Sequence, residues 1–241
     1  MFNKNISDFQ NVHVEDNSSA ISKTFMANVF SWMAIALAIT AFVAWQFSSS
    51  PALIGMLITE SGISILGWIV MLAPIGLVLL MSSRYNKFSA QTLMLIFGGF
   101  SILMGMSLSF ILLIYTAASI FQTFIITAGM FGVMAFLGYT TKTDLSKFGS
   151  LMMMGVVGIV IASLVNFFMH SSTLEYIISF AGVVIFTGLT AYDVQKLKRI
   201  AAGIQYGSQS VSKLTIMGAL TLYLDFINLF LFLLRFLGDR K

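Results

Sequence analysis

The sequence predicts an all-α integral membrane protein, a seven-helix transmembrane bundle, and three observations lead to that prediction. Hydrophobic residues make up 58% of the 241 residues and charged residues only 9%, whereas a soluble domain usually carries about a quarter charged residues. Continuous apolar runs take up nearly the whole chain, and the mean hydropathy is +0.94. Basic residues lie between these runs in an alternating pattern, which is typical of membrane topology.

Seven apolar runs are long enough to cross a bilayer, because a spanning helix needs about 20 mostly apolar residues. A β-barrel would need strands of alternating polarity, which these continuous runs lack. The segment from Pro51 to Ile58 is apolar but too short to cross, so we expect it at the interface or over the mouth of the bundle. The seven runs are residues 24–47, 63–82, 91–114, 117–138, 148–169, 174–192 and 211–237.

The runs divide the chain into three parts. We predict a polar N-terminal tail at residues 1–23, a seven-helix membrane domain at residues 24–237 and a short basic tail at residues 238–241. The first part lacks the basic start and short apolar stretch of a secretory signal, and the first run is long enough to span. We therefore expect that run to stay in the membrane as a helix.

Basic residues assign an orientation. The loops after the second, fourth and sixth runs carry lysine and arginine, whereas the loops around 48–62, 115–116 and 170–173 carry none. The positive-inside rule then predicts a cytoplasmic N-terminus. We expect the protein to lie in the inner (plasma) membrane of a cell. The basic tail conflicts with this alternation, so either it is translocated or the seventh run re-enters; its length favours a full span. The basic residues of the three loops are Arg84, Lys87, Lys142, Lys147, Lys196, Lys198 and Arg199.

Composition also excludes several kinds of site. The chain has no cysteine, which excludes disulfides and thiolate chemistry, and its two histidines, His13 and His170, lie far apart. We therefore expect no cofactor and no enzyme activity; an intramembrane aspartyl protease, which needs two acids in close register, ranks last. The net charge of +4 is not clustered, so no nucleic-acid partner is expected. A proton-coupled carrier would show broken helices or internal repeats, and we find neither.

Small residues at four-residue spacing predict close helix contacts in two of the runs. They are Ser101, Gly105 and Ser109 in the third run and Gly158 with Ala162 in the fifth.

Asp225 lies deep in the seventh run. It is roughly 15–18 Å along a helix from Lys213 on one side and Arg235 on the other, near the middle of the membrane. A carboxylate there costs on the order of 3 kcal/mol, so we expect it to face the bundle interior and to have a partner. Thr221 and Asn228 fall on the same helical face and are candidates for lining a pore.

Two further aspartates border apolar runs. Asp193, at the inner end of the sixth run, is either a boundary acid, hydrated or paired with a nearby lysine such as Lys196, or a functional residue. Counted from the nearest basic residues, Asp225 lies roughly 10 Å deeper than Asp193. The two acids meet only if the sixth helix extends past the bilayer edge or the seventh begins in the cytosol. Asp144 is predicted to cap the fifth helix.

Three stretches of this sequence match a known family. They are Gly138–Leu145 (GYTTKTDL), Leu189–Leu197 (LTAYDVQKL) and Leu222–Phe230 (LYLDFINLF), the last followed by Leu234-Arg235-Phe236. Through them the chain resembles the Bax inhibitor-1 family, the transmembrane Bax-inhibitor-motif proteins, over about residues 20–240. The short N-terminal tail favours the bacterial branch.

The resemblance implies six helices around a central seventh. It also implies that the aspartates of the sixth and seventh helices, here Asp193 and Asp225, form a proton-sensitive pair that governs a calcium leak. Arg84 holds the position of an arginine that the family uses as a latch. An acid found within the second helix of some relatives has no counterpart in residues 63–82.

Elementary chemistry fits such a pair. Two close carboxylates in a low dielectric cannot both ionise cheaply, so they share a proton. Calcium prefers six to eight oxygen ligands, and Asp193 and Asp225 with Thr221, Asn228 and water would offer only a weak site, as conduction requires.

Two functions therefore remain open. One is a pH-sensitive calcium leak channel whose partners are the lipid bilayer, calcium and protons, with calcium as the permeant or weakly bound ion. The alternative is a regulator that binds another membrane protein, such as a membrane protease, with the tail at residues 1–23 as the natural handle.

Overall fold

A computed structural model of the chain describes residues 3–60, 62–203 and 209–241, with side chains from residue 22 onward apart from 61 and 204–209. This part of the chain contains eight helices and one short antiparallel ribbon. The elements are α1 (Asn3–Ser49), α2 (Pro51–Leu57), β1 (Ile58–Thr59), β2 (Gly62–Ile63), α3 (Ile65–Ser83), α4 (Ala90–Ile114), α5 (Ala117–Thr140), α6 (Ser146–Met169), α7 (Ser172–Ala202) and α8 (Gln209–Leu237).

Seven of the described helices are long and apolar enough to cross a membrane. They are α1, whose span is Ser22–Ser49, and α3 to α8, and they follow the seven predicted runs in order, which confirms the fold class. The segment predicted not to cross forms α2, only seven residues long, followed by the β1–β2 ribbon. Gly62 in this ribbon has φ of +120°, a conformation that favours glycine because it has no Cβ.

Helix α8 is the central element. In its most apolar stretch 67% of the residues are buried, against 6% in α6. Helices α1, α4, α5 and α7 pack around α8, while α3 packs on α4 and α6 packs on α7. The polar groups of α8 explain this position, because a polar group in the hydrocarbon region needs a partner inside the protein.

Helices α1 and α4 approach closely at a small residue, as predicted. A Cβ added at Gly105 would lie 2.6 Å from the carbonyl oxygen of Thr40, and Ser101 and Ser109 on the same helix are buried. The prediction for Gly158 is wrong, since that residue is exposed and an added Cβ there would meet nothing within 4 Å. Gly155, three residues earlier, faces α7 instead, because α6 packs mainly on that helix.

Helix α7 is longer than its apolar run. The run ends at residue 192, whereas the helix continues to Ala202 and measures about 46 Å at 1.5 Å per residue. The hydrocarbon core is about 30 Å thick, so the polar end of α7 projects beyond it. Asp193 therefore lies inside a continuous helix, which meets the condition under which the two aspartates can come together.

The C-terminal tail settles how the seventh run crosses. Helix α8 is continuous, and the tail after it is bound to the far ends of other helices: Thr116 N–H donates to the carbonyl oxygen of Asp239 (3.1 Å), and Arg240 pairs with Glu175 (2.9 Å). The tail thus lies beside the loops at 115–116 and 170–173, which carry no basic residue. The run is a full span, as the sequence favoured, and not a re-entrant segment.

The start of α6 differs from the prediction by one residue. The N-cap position is Leu145, which has no capping side chain, and Asp144 precedes it. The Asp144 carboxylate still accepts a hydrogen bond from the N–H of Ser146 (2.9 Å). It also pairs with Arg199 of α7 at 2.7 Å.

Candidate functional site: a carboxyl pair between the last two helices

The two predicted aspartates meet at the interface of α7 and α8. Asp193 is 8% exposed and Asp225 is 4% exposed, and their carboxyl groups are close enough for each to act on the other. A carboxylate has only acceptor atoms, so a hydrogen bond between two carboxyl groups requires that one of them carry a proton. Asp193 is thus largely shielded from solvent in this structure, and whether it acts as a functional acid stays a prediction.

One oxygen of the pair has no partner. Among the described residues, two buried side-chain oxygens make no hydrogen bond, Asp225 Oδ2 and Thr187 Oγ1, and they belong to α8 and α7 respectively. Buried polar atoms are almost always satisfied by protein or by water, so an unpartnered carboxyl oxygen marks a place for a ligand or a solvent molecule. At Asp225 this atom lies on the most enclosed helix of the bundle.

Thr221 and Asn228 bond to their own helix. Thr221 Oγ1 donates to the carbonyl oxygen of Met217 (3.1 Å), and Asn228 Nδ2 donates to that of Leu224 (2.8 Å). Both side chains are half-buried. They keep the polar stripe that the sequence predicted, but in this structure neither donates to Asp225, so their role in lining a pore stays a prediction.

Arg84 lies apart from the pair. It is the exposed C-cap residue of α3, a helix that packs mainly on α4. In the described part of the chain it forms no ion pair with an acid. The adjacent Tyr85 ring lies under the ammonium of Lys213 at 5.9 Å, so the loop that carries Arg84 contacts the start of α8.

Lys196 is a cation whose charge acts on Asp193, one of the two acids of the pair. It is exposed one turn after Asp193, and its field acts on that carboxyl group. Lys196 also lies 5.9 Å above the ring of Tyr192. The sequence left two interpretations of Asp193 open: a boundary acid that is hydrated or paired with Lys196, or a functional residue. In the structure both Lys196 and Asp225 act on Asp193.

Sequence reasoning missed a buried hydroxyl link next to the pair. Tyr223, two residues before Asp225, is fully buried, and its hydroxyl lies 2.7 Å from Thr40 Oγ1. The rings of Phe97 and Phe100 meet Tyr223 edge-on at 5.9 and 5.4 Å. The sequence could have indicated this link, because Tyr223 lies inside an apolar run and a buried phenol needs a hydrogen-bond partner.

A second missed feature holds the family's first two motifs together. Gln195 Nε2 donates to the carbonyl oxygen of Thr143 (2.8 Å), and Gln195 Oε1 accepts from the N–H of Leu145 (2.9 Å). The loop between α5 and α6 is thereby fixed to α7 two residues after Asp193.

Hydrogen bonds from Ser146 and then from Arg199 lower the pKa of Asp144 to about 2, so this carboxylate is charged at neutral pH.

The described residues offer no ready metal cluster. No group of three or more histidine, cysteine, aspartate or glutamate side chains comes together in the part of the chain with known placement. A hard cation at the pair would therefore depend on water and carbonyl oxygens for most of its six to eight ligands.

These observations define the class: an all-α integral membrane protein with a carboxyl pair buried between its central helix and a neighbour. Comparison with known proteins then gives the family. The family described as "Inhibitor of apoptosis-promoting Bax1" matches residues 22–241, and the chain belongs to this Bax inhibitor-1 family, as its motifs indicated.

Several bacterial relatives cover nearly the whole chain. The inner membrane protein YbhL of Escherichia coli strain K12 is 48% identical over 220 residues, which is 91% of this chain and 93% of the relative. An uncharacterized protein of Borreliella burgdorferi is 46% identical over 94% of this chain and 97% of its own length. An uncharacterized membrane protein of Streptococcus pyogenes serotype M6 is 35% identical, covering 89% and 92%.

Proposed function

We propose that this protein is a pH-sensitive calcium leak channel of the inner membrane, gated by the carboxyl pair Asp193–Asp225. The proposal assigns the N-terminus to the cytoplasm on the positive-inside rule. It assigns no enzyme activity and no resident cofactor, and it takes calcium as the permeant ion. One observation carries it: two acids from adjacent helices meet in the protein interior, and one oxygen there has no partner.

The pair works as a switch because its charge depends on one proton. With the proton present, the carboxyl groups hydrogen-bond and hold α7 against α8. Loss of the proton adds a negative charge in a poorly solvated place, where like charges repel and a cation is attracted. That cation is calcium in the conducting state, bound by few protein oxygens and therefore weakly.

Arg84 is the proposed competitor for the charged carboxylate when the channel is closed. Its guanidinium would pair with an acid in a bidentate geometry. Because Arg84 is exposed at the end of α3, this role requires that end of α3 to move toward the pair. Tyr85, which already contacts Lys213 of α8, is the contact through which such a movement would reach the central helix.

The test is calcium flux into vesicles that contain the purified protein and a calcium dye, measured across a pH series. We expect the wild-type leak to change with pH, and we expect Asp193→Asn and Asp225→Asn each to flatten that dependence. Asp144→Asn is the matched control, since it removes an exposed acid outside the pair. A leak through Asp225→Asn with unchanged pH dependence would show that the pair is not the sensor.

The alternative function, regulation of another membrane protein, has one structural observation in its favour. Helix α1 runs from Asn3, whereas the apolar run of the sequence begins at residue 24, so the helix extends ahead of that run. If a partner co-purifies with the full chain, is lost on deletion of residues 1–23, and vesicles remain tight to calcium at every pH, regulation replaces the leak.

A further inference from the structure

A cleft opens on the lipid-facing surface of the bundle, in the half that carries the C-terminal tail. Helices α1, α4 and α5 form its walls and α8 forms its floor, and its volume is about 420 Å³. Ligand pockets typically measure about 300–1,000 Å³ and are lined mainly by apolar side chains. Trp45 and Phe121 at its edges are 59% and 66% exposed, so the cleft is accessible from the membrane.

The deep part of the cleft is apolar. Phe226, Ile227 and Phe230 of α8 form the floor. Thr40 also lines it, but its hydroxyl is already occupied by the carbonyl oxygen of Ser101 and by Tyr223. A ligand entering this part would find no free polar group on Thr40, which favours a hydrocarbon chain.

The length of the cleft matches one leaflet of a bilayer. On α1 the lining residues run from Leu37 to Ser48, about 16 Å along the helix axis. The hydrocarbon core is about 30 Å thick, so one leaflet accounts for roughly half of that. Because α1 ends at Ser49, the Ser48 end of the cleft lies at the membrane boundary.

A cation stands at that end. Among the described residues that line the cleft, Lys241 alone is charged. Its Nζ donates to the carbonyl oxygen of Leu112 at 3.0 Å, and an ammonium group has three donors, so two remain for a ligand. A lysine at the lipid headgroup level attracts phosphate.

We propose that this cleft binds one acyl chain of a phospholipid, with the phosphate of that lipid held by Lys241. The lipid comes from the leaflet at the end of the bundle that carries the C-terminal tail. The bound chain contacts Phe226, the residue directly after Asp225. This assignment does not depend on calcium transport and stands or fails separately from it.

Tryptophan fluorescence tests the assignment, because only one of the three tryptophans lines the cleft. The probe is phosphatidylglycerol with brominated acyl chains, added to the full-length protein in detergent micelles. A Trp45-only variant (Trp32→Phe, Trp68→Phe) reports the cleft. A Trp68-only variant (Trp32→Phe, Trp45→Phe) is the control, because Trp68 is 53% exposed but lies on α3, outside the cleft.

We expect quenching of Trp45 to saturate at about one lipid per protein and quenching of Trp68 to rise without saturation. Lys241→Gln should weaken binding about fivefold, which corresponds to one lysine near a lipid phosphate. Ala41→Phe, which fills the cleft, should abolish saturation, whereas Ala34→Phe on the exposed face of the same helix should not.

Three results would overturn the proposal. If Trp45 behaves like Trp68, the cleft is ordinary lipid-facing surface. If brominated diacylglycerol binds as tightly as the phospholipid and Lys241→Gln has no effect, Lys241 does not hold a phosphate. If Trp45 is not quenched and the protein is a dimer in the same micelles, the cleft is an interface between two copies.

Discussion

The hydroxyl oxygens of Thr40 and Tyr223 lie 2.7 Å apart at the junction of α1, α4 and α8. Thr40 Oγ1 also donates to the carbonyl oxygen of Ser101 at 2.9 Å. A threonine hydroxyl has one hydrogen, so Tyr223 is the donor in the first bond. This link ties the first span to the central helix two residues before Asp225, and it therefore fixes the rotation of α8 about its axis.

Removing the phenol should have a small, defined effect. Tyr223→Phe loses one hydrogen bond but leaves Thr40 bonded to Ser101, so we expect a loss of about 1 kcal/mol in the free energy of unfolding. Tyr223→Ala, which empties a fully buried site, should cost about 3–5 kcal/mol. Denaturant titration in mixed micelles measures both. Tyr176→Phe, at a 59% exposed position, is the control; equal losses for Tyr223→Phe and Tyr223→Ala would contradict this account.

A second prediction concerns the contact between α5 and α7. A Cβ at Gly138 would collide with the main chain of Ala191, two residues before Asp193. Gly138→Ala must therefore push the helices apart, and we expect a loss of about 1–3 kcal/mol in unfolding free energy. Gly129→Ala on the same helix meets nothing within 4 Å and should be neutral or stabilising by up to about 1 kcal/mol. The same destabilisation at both positions would mean that α5 does not approach α7 as described.

The third prediction concerns acid sensitivity at the loop before α6. The pKa of Asp144 is lowered to about 2, below its unfolded value, by hydrogen bonds from Ser146 and Arg199. A depressed pKa stabilises the folded state above the unfolded pKa of about 4, and that stabilisation is lost as the pH falls toward 2. Asp144→Asn should thus lower the melting temperature at about pH 6 and differ less from wild type as the pH approaches 2.

Thermal melts in detergent at several pH values measure this difference. Arg199→Gln should behave similarly, since it removes the partner of Asp144. A melting-temperature difference that grows toward low pH would give the wrong sign and would contradict the assignment.

The fourth prediction concerns topology. The chain has no cysteine, so a single introduced cysteine reports one position. Thr173→Cys and a cysteine added after Lys241 should react with a membrane-impermeant maleimide in intact cells, because the tail and the start of α7 lie at one end of the bundle. Lys142→Cys should react only after the cells are opened. Opposite accessibility of Thr173→Cys and the added cysteine would contradict a full span by α8.

The helices were predictable because each span had to be a continuous apolar run, and the seven runs correspond to seven helices. The extension of α7 beyond residue 192 could not be predicted. Its last turns are polar and lie outside the hydrocarbon, where hydropathy gives no indication of a helix. The close approach at Gly105 could be predicted from spacing, whereas the choice of Gly155 over Gly158 depends on where α7 packs.

The carboxyl pair was only partly predictable. The depth of Asp225 in its run indicated a buried acid with a partner, and the family resemblance named Asp193. Position along the chain could not decide whether they meet, because that depends on how far two helices slide along each other. The contacts of Gln195 with Thr143 and Leu145 are similarly set by packing between distant segments.

The most enclosed span, α8, is also the last one along the chain. Translation proceeds from the N-terminus, so α1, α4, α5 and α7 enter the bilayer before their common neighbour has been made. Until α8 arrives, Asp193 lacks the carboxyl group that faces it, Thr40 is bonded only to Ser101, and the space that α8 will occupy is open to lipid or water. Insertion of α8 is therefore a step in which one segment enters between helices that are already in place.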